Sequence, residues 1–345
     1  MKMNGNTVLV TGVSGFIANH CAVELLNAGY GVRGSLRSLG RAGKVKETLS
    51  KHADVTKLEL AEADLESDSG WDEAVAGCAH VLHVASPFPV SQPTDEQVLI
   101  RPAVDGTLRV LRSARAAGVE RFVQTSSMAA VQYGHPHDRT APFTEADWTD
   151  VDAPGVTPYA KSKTLAERAA RDFVRENPGA LHYSSVNPGF VLGPVLSADT
   201  GTSAEIIDMM LKGKYPGTPR VSFACVDVRD VARMHRLALE AQAPSGGRYL
   251  GAAQCLWMGD IAKAIKSQLG DAARKVPSRD LPDWVIKLVA LFDPKARQLI
   301  PELGREVHVD TTLTRETLQM TFLPATDAAA DMAQSLIDLS AGSLR

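Results

Sequence analysis

Val- and Leu-rich runs at 7–10, 31–36, 57–61, 79–85, 120–126 and 181–187 alternate with longer amphipathic stretches, and this rhythm is the strongest constraint on the fold. Short apolar runs bounded by turn residues read as strands, and a 3.6-residue period between them reads as helix. Strand and helix in repetition build an α/β, doubly wound parallel sheet covered on both faces, with ligands gathered beyond the carboxyl ends of the strands. At 345 residues and 44% hydrophobic content, the chain is long enough for that domain and a smaller one. Past Pro188 the rhythm loosens, with Gly/Pro turns near 193–201 and 213–219, a strand and helix from Val221 to Glu240, and mainly helical patterns from 258 onward. The expected division is a nucleotide-binding domain at 1–187 and 220–254, with a mainly helical C-terminal substrate domain formed by 188–219 and 255–345.

Composition narrows the partners. A net charge of -3 provides no global positive field for nucleic acid or anionic lipid, so neither is expected. Cys21, Cys78, Cys225 and Cys255 are scattered and show no zinc-like spacing, which suggests reduced thiols and no metal. The amino terminus runs straight into the apolar stretch Thr7 to Val10, leaving no room for a signal peptide, and runs such as 288–292 are far shorter than a bilayer span. A cytoplasmic protein is expected.

The first strand leads into Gly12-Val13-Ser14-Gly15-Phe16-Ile17-Ala18, where a helical pattern begins. Gly12 suits the tight turn and Gly15 a close approach of backbone to a pyrophosphate. The helix amino terminus adds partial positive charge, and Ala18 takes the third small position. This is the phosphate turn of a Rossmann-type dinucleotide site. Gly12, Ser14, Gly15, Phe16 and Ile17 are its cofactor-binding candidates. An Asp or Glu normally meets a bare ribose after the second strand; here Gly34-Ser35-Leu36-Arg37 stands instead. Arg37, with Lys44 nearby, suits the 2'-phosphate of NADPH/NADP, whereas Arg33 and Arg41 read as a solvated basic cluster. Asp64 and Leu65 follow the third strand and could meet the adenine, although Asp64 alone reads more simply as a cap. Val84, Ala85 and Ser86 end the fourth strand with small residues where backbone must approach the cofactor, and His83 reads as a packed strand histidine.

Tyr159 and Lys163 stand one helical turn apart on the same face. A phenol titrates near pH 10 in water and serves proton transfer at neutral pH if a nearby cation stabilises its phenolate, which Lys163 could do. The fifth strand ends in Thr125-Ser126-Ser127, bringing a hydroxyl to the same sheet edge. Between Ser127 and Tyr159 the chain is polar and broken by Gly134, Pro136, Pro142, Pro154, Gly155 and Pro158, as expected of a loop rimming a pocket.

Together these residues resemble the extended short-chain dehydrogenases/reductases, and within them the dihydroflavonol reductase and cinnamoyl-CoA reductase group with its bacterial and fungal aldehyde/ketone reductase relatives. The resemblance rests on Thr11 to Ala18, His83 to Phe88, Thr125 to Ser127, Tyr159 to Glu167, Asn187 to Pro194 and Val226 to Ala232, and loosens beyond about 255. It implies that Ser127, Tyr159 and Lys163 are catalytic. It also implies that Thr125 lies beside the cofactor, that Pro188, Gly189 and Val191 lie against the nicotinamide, and that Ser203 reaches toward the phosphates. NADPH would then reduce an aldehyde or ketone to an alcohol, with Tyr159 protonating the oxygen, Ser127 positioning it, and Lys163 holding the ribose and lowering the phenol pKa.

Phe88, Gln132, Phe190, Tyr215, Phe223 and Trp257 are candidate walls for a small-molecule carbonyl substrate, and Gln132 stands where the plant enzymes place a selectivity residue. Residues 281–288 read either as a lid helix or as an amphipathic helix packed on the second domain. A nucleotide-sugar epimerase or dehydratase fits less well, because Ser126-Ser127-Met128 lacks an acidic residue and Arg37 stands where retained NAD favours an acid. Oxidation of secondary or steroid-like alcohols uses the same residues, and a non-enzymatic NADP sensor would more often lack the tyrosine. The chain is expected to be a monomer, or a homodimer through the helices containing 95–118 and 158–176.

Overall fold

The computed structural model describes residues 6–86, 95–292 and 294–342. Its first half alternates as the sequence rhythm predicts: β1 (Thr7–Val10), α1 (Phe16–Asn27), β2 (Gly31–Leu36), α2 (Ala42–Ser50), β3 (Leu58–Glu62), α3 (Trp71–Val75), β4 (His80–His83), α4 (Gln97–Ala116), β5 (Arg121–Thr125), α5 (Pro158–Glu176) and β6 (His182–Pro188). The chain continues through β7 (Phe190–Leu192), α6 (Thr202–Leu211), β8 (Ser222–Asp227), α7 (Val228–Glu240), β9 (Gly247–Gly251), β10 (Gln254–Trp257) and α8 (Met258–Leu269). It then forms α9 (Asp283–Val289), α10 (Pro294–Leu299), α11 (Thr312–Leu318) and α12 (Ala325–Gly342).

Seven strands form a sheet in the order β3-β2-β1-β4-β5-β6-β9, with every neighbouring pair parallel. The order reverses between β1 and β4, and that switch point opens a crevice at the carboxyl edge of the strands. Val8, Leu9 and Val10 are fully buried, as a central parallel strand covered on both faces requires. One core layer joins α1 and α7 to the sheet through Ala22, Leu25, Val32, Met234 and Ala238. The opposite layer joins α4 and α5 through Val110, Leu111, Ala114, Ala170 and Phe122.

A smaller sheet, β10-β8-β7, supports the substrate side, with β10 antiparallel and β7 parallel to β8. It packs on α6, α8 and α12 through Ile207, Met210, Ile261, Ile265 and Met332. The segment 220–254 thus divides: α7 and β9 join the large sheet, whereas β8 belongs to the small one. The two sheets cross at Gly189, where a Cβ would lie 1.9 Å from the Ala224 carbonyl oxygen. No side chain fits there, which explains the glycine.

The segment from Ser127 to Thr157 is irregular apart from a short 3₁₀ turn at Met128–Ala130, yet it is tied down. Arg139 makes paired bonds to Asp147 at 2.9 and 3.0 Å, and Phe143 exchanges backbone bonds with His308 and Asp310 at 2.8 Å. Helix α9 packs through Ile286 against Val221 and Leu303, while Trp284 and Leu288 are exposed. Among the described residues no helix is long and apolar enough to cross a membrane, and all four cysteines are free.

Candidate active site

The phosphate turn forms because Gly12 adopts φ +63°, and a Cβ there would approach Ala85 Cβ to 2.9 Å. Thr11 Oγ1 accepts from the backbone N–H groups of Val84 and Ala85, each at 2.9 Å, and so binds the ends of β1 and β4 together across the crevice. Gly12 N–H donates to Ser35 Oγ at 3.0 Å. Helix α1 starts at Gly15 with no side-chain cap and no acidic residue in its first turn. Its leading N–H groups therefore keep their partial positive charge available to an anion, and the cradle fits a dinucleotide pyrophosphate. Phe16 packs edge-on against His20, and Ile17 packs on the sheet-side core, so both contribute to the turn through backbone and packing.

Arg37 is exposed just beyond β2. Glu62, at the end of β3, accepts from Leu39 N–H at 3.0 Å and anchors the turn that follows Arg37. Lys44 lines a small cleft with Ser14, Asn19 and Ser197, so it reaches the phosphate turn. Arg33 is structural, bonded to Glu59 and to the carbonyls of Ala74 and Ala76. Arg41 is engaged by Asp199 at 2.8 Å.

Other expected cofactor contacts have local partners. Asp64 Oδ1 accepts from Glu66 N–H at 3.1 Å, a local turn bond rather than a helix cap, since the next helix begins at Trp71 with Gly70 before it. Leu65 packs under α4 beside Gly106. Thr125 differs from expectation. It is buried, and its hydroxyl bonds His235 Nε2 at 2.6 Å, because alternation along the strand turns it toward α7 and away from the crevice. Ser203 donates to the Val191 carbonyl at 2.5 Å. Ser86 stands half-buried at the end of β4, and Phe88 lies outside the described residues. His83 is a packed histidine between Thr11 and Thr107, and burial, with Lys163 nearby, depresses its pKa to about 3.

At the sheet edge Ser127, Tyr159 and Lys163 converge. Thr157 caps α5, accepting from Ala160 N–H at 3.2 Å, and Pro158 occupies the first turn, which fixes where Tyr159 begins the helix. Ser127 Oγ accepts from Ala129 N–H at 3.0 Å and faces the Pro188 carbonyl at 3.5 Å, and it hydrogen-bonds the Tyr159 phenol. Lys163 Nζ lies 6.0 Å from the centre of the Tyr159 ring. Burial lowers the Lys163 pKa to about 8. Burial also raises the Tyr159 phenol above its ordinary value, with the Ser127 hydrogen bond opposing. The expected depression of the phenol is thus absent from the protein by itself, because desolvation outweighs the stabilisation available there.

Beside this edge Phe190 and Phe223 stack at 4.5 Å. Tyr215 bonds Met209 Sδ, and Arg220 lies 5.8 Å from the centre of the Trp257 ring, so these two rings also serve packing. Gln132 is buried, its carbonyl accepts from Arg305 at 3.0 Å, and its side-chain Oε1 has no hydrogen-bond partner among the described residues. Tyr133 was not singled out by sequence. Its phenol is pushed up to about 12, chiefly by burial and by Glu302, and it senses both Gln132 and Tyr159.

Sequence reading also gave no role to Glu167, one turn beyond Lys163. Its fully buried carboxylate accepts from Ser126 Oγ at 2.6 Å, Asn187 Nδ2 at 2.8 Å, Ser185 Oγ at 3.0 Å, Arg248 Nε at 2.8 Å and Arg171 Nε at 3.0 Å. The i, i+4, i+8 spacing of Tyr159, Lys163 and Glu167, continued by Arg171, was the available signal; the partners that follow β5 or lie on β6 and β9 carry none.

The family model described as the NAD dependent epimerase/dehydratase family matches residues 8–250. A cinnamoyl-CoA reductase of Medicago truncatula is 39% identical over 246 residues, covering 70% of this chain and 74% of that one. A ketoreductase of Aspergillus niger is 34% identical over 319 residues, covering 87% and 94%. Among solved structures, the yeast methylglyoxal/isovaleraldehyde reductase complexed with NADPH superposes with a TM-score of 0.80 at 25% identity, covering 97% of this chain and 99% of that one. The chain belongs to the NAD dependent epimerase/dehydratase family, as a reductase of the extended short-chain dehydrogenase/reductase type.

Proposed function

We propose that the protein is an NADPH-dependent reductase that converts an aldehyde or ketone to its alcohol. The observation that carries this reading is the meeting of Ser127, Tyr159 and Lys163 at the sheet edge, beside the phosphate turn. The names of the relatives and the NADPH held by the solved neighbour support it.

When bound in this crevice, NADPH would supply the hydride that the carbonyl carbon accepts. The uncapped turn at Gly12 to Ile17 would hold the pyrophosphate, Arg37 and Lys44 the 2'-phosphate, and the Lys163 ammonium the ribose hydroxyls of the nicotinamide half. Val84, Ala85, Pro188, Gly189 and Val191 border the same crevice. Tyr159 gives its phenolic proton to the carbonyl oxygen as the C=O π bond opens, so the new C–H and O–H bonds balance. Ser127 donates to that oxygen and fixes its distance from Tyr159. The phenol is protonated at neutral pH, but burial raises its pKa and so weakens it as an acid, which the Ser127 hydrogen bond opposes. Phe190 and Phe223 offer an apolar wall for an aliphatic or aromatic substituent, and Gln132 Oε1 can accept from a hydroxyl on it. Lys163, with a pKa of about 8, is mostly charged at pH 7 and mostly neutral above pH 9, so ribose anchoring weakens on the alkaline side.

The test is incubation with NADPH or NADH and a panel of aldehydes and ketones while nicotinamide absorbance is followed. Carbonyl-dependent oxidation that favours NADPH is expected; none with any carbonyl removes the reading.

A further inference from the structure

We infer that Glu167 is a positioning residue for the Ser127 hydroxyl, acting through Asn187 and Ser126. This rests on the reading of Ser127 as the group that orients the carbonyl oxygen.

Glu167 sits on α5 one turn past Lys163, with its side chain directed beneath the carboxyl ends of β5 and β6 rather than into the crevice. Asn187 Nδ2 donates both to Glu167 Oε2 at 2.8 Å and to the Ser127 carbonyl at 3.2 Å, while Ser126 Oγ donates to the same Oε2 at 2.6 Å. One carboxylate oxygen therefore holds the two consecutive serines, one through its side chain and the other through its backbone. Asn187 precedes Pro188, whose carbonyl faces Ser127 Oγ. The second oxygen, Oε1, accepts from Arg248, Arg171 and Ser185.

A simple staple would need only the arginine side. Arg248 also bonds the carbonyls of Ala130 and Glu145 at 3.0 and 2.9 Å, and its guanidinium lies 3.8 Å from the centre of the Trp148 ring. The network thus ties the start of the loop, at Ala130, and its middle, at Glu145, to the helix carrying Tyr159. Burial pushes the Glu167 carboxyl up, but Arg248, Arg171, Ser126 and Asn187 together hold it below the ordinary carboxylate range. The fixed charge gives the serine pair one favoured arrangement, since a half-satisfied buried network is costly.

Two variants test this. Glu167→Gln keeps the shape but leaves two arginines without a charge partner; if it does not fold, Asn187→Ser removes the relay, together with the bond that Asn187 Oδ1 accepts from Ser185 Oγ at 2.9 Å, while leaving the arginine side of Glu167 intact. With the carbonyl that the wild type turns over best, each variant should lose about 10- to 100-fold in kcat at unchanged NADPH affinity. Asn187→Ser added to Ser127→Ala should cost nothing further, because both act through one hydroxyl. Independent of turnover, the Tyr159 ring-carbon NMR signal of protein labelled with ¹³C-tyrosine should shift in Asn187→Ser in the direction seen in Ser127→Ala. Wild-type kcat with only a lower Tm, multiplying losses in the double variant, or an unmoved Tyr159 signal would each overturn the inference. A wild type without turnover would defeat the reductase reading instead, and the NMR comparison would still decide the role of Glu167.

Discussion

Ser127, at the end of β5, and Tyr159, in the first turn of α5, share a hydrogen bond although the loop between them contains over two dozen residues. The bond draws the phenol back toward its ordinary pKa against the effect of burial. Ser127→Ala removes it together with a donor to the substrate oxygen, and should lower kcat about 10²- to 10³-fold with little change in NADPH affinity, by analogy with loss of one oxyanion donor. Steady-state kinetics and NADPH fluorescence titration separate the two.

Lys163 costs the fold stability. Burial lowers its pKa from 10.5 to about 8, a difference of about 3 kcal/mol in folding free energy between the charged and neutral forms. The unfolded chain binds the proton more tightly, so the cost is fully present below pH 8 and is relieved as pH rises from 8 toward 10.5. Lys163→Met should therefore raise the Tm of the cofactor-free protein by a few degrees at pH 7, with a smaller gain at pH 9.5, while abolishing turnover. A variant less stable than wild type at pH 7 would contradict this.

Acid should unfold the protein through buried neutral histidines. Burial depresses His83 to about 3 and His20 and His235 to about 4. Each lies below its unfolded value, so stability present above pH 6.5 is lost as pH falls toward 4, by about 1.4 kcal/mol per unit per histidine. Asp230, raised to about 6 chiefly by burial, works the other way but is a single group. Denaturant unfolding at pH 7, 6 and 5 should show a steep decline, flattened in His20→Gln, whose amide can still donate to the Pro194 carbonyl.

Cofactor choice should reside in Arg37. Arg37→Ala removes a charged donor to the 2'-phosphate and should weaken NADPH by about 10- to 100-fold, from the 1.5 to 3 kcal/mol typical of hydrogen bonds to charged groups, while NADH changes little. Equal losses for both cofactors would make Arg37 a structural residue.

The six strands of the first half fall within a residue or two of their apolar runs, because a buried parallel strand is mostly apolar, even where, as in β6, it also carries buried polar residues such as Ser185 and Asn187. The phosphate turn was equally legible, since a positive φ at Gly12 and the close approach of Ala85 leave little choice of residue. Three features were not. Nothing in the run 222–227 says which sheet it joins, and it left the large one for the small. Thr125 faces α7 because side chains alternate along a strand, and a one-position difference from Ser126 decides which side it takes. The Glu167 network draws Asn187 and Arg248 from distant strands, and such pairings leave no local pattern.

The central claim is that Tyr159 donates the proton that completes carbonyl reduction. Its most direct test compares wild type with Tyr159→Phe, measuring NADPH affinity by fluorescence and turnover with the best carbonyl of the panel. The account predicts unchanged NADPH affinity and a kcat reduced by 10²-fold or more, the usual contribution of a positioned acid. Undiminished turnover in Tyr159→Phe would contradict it.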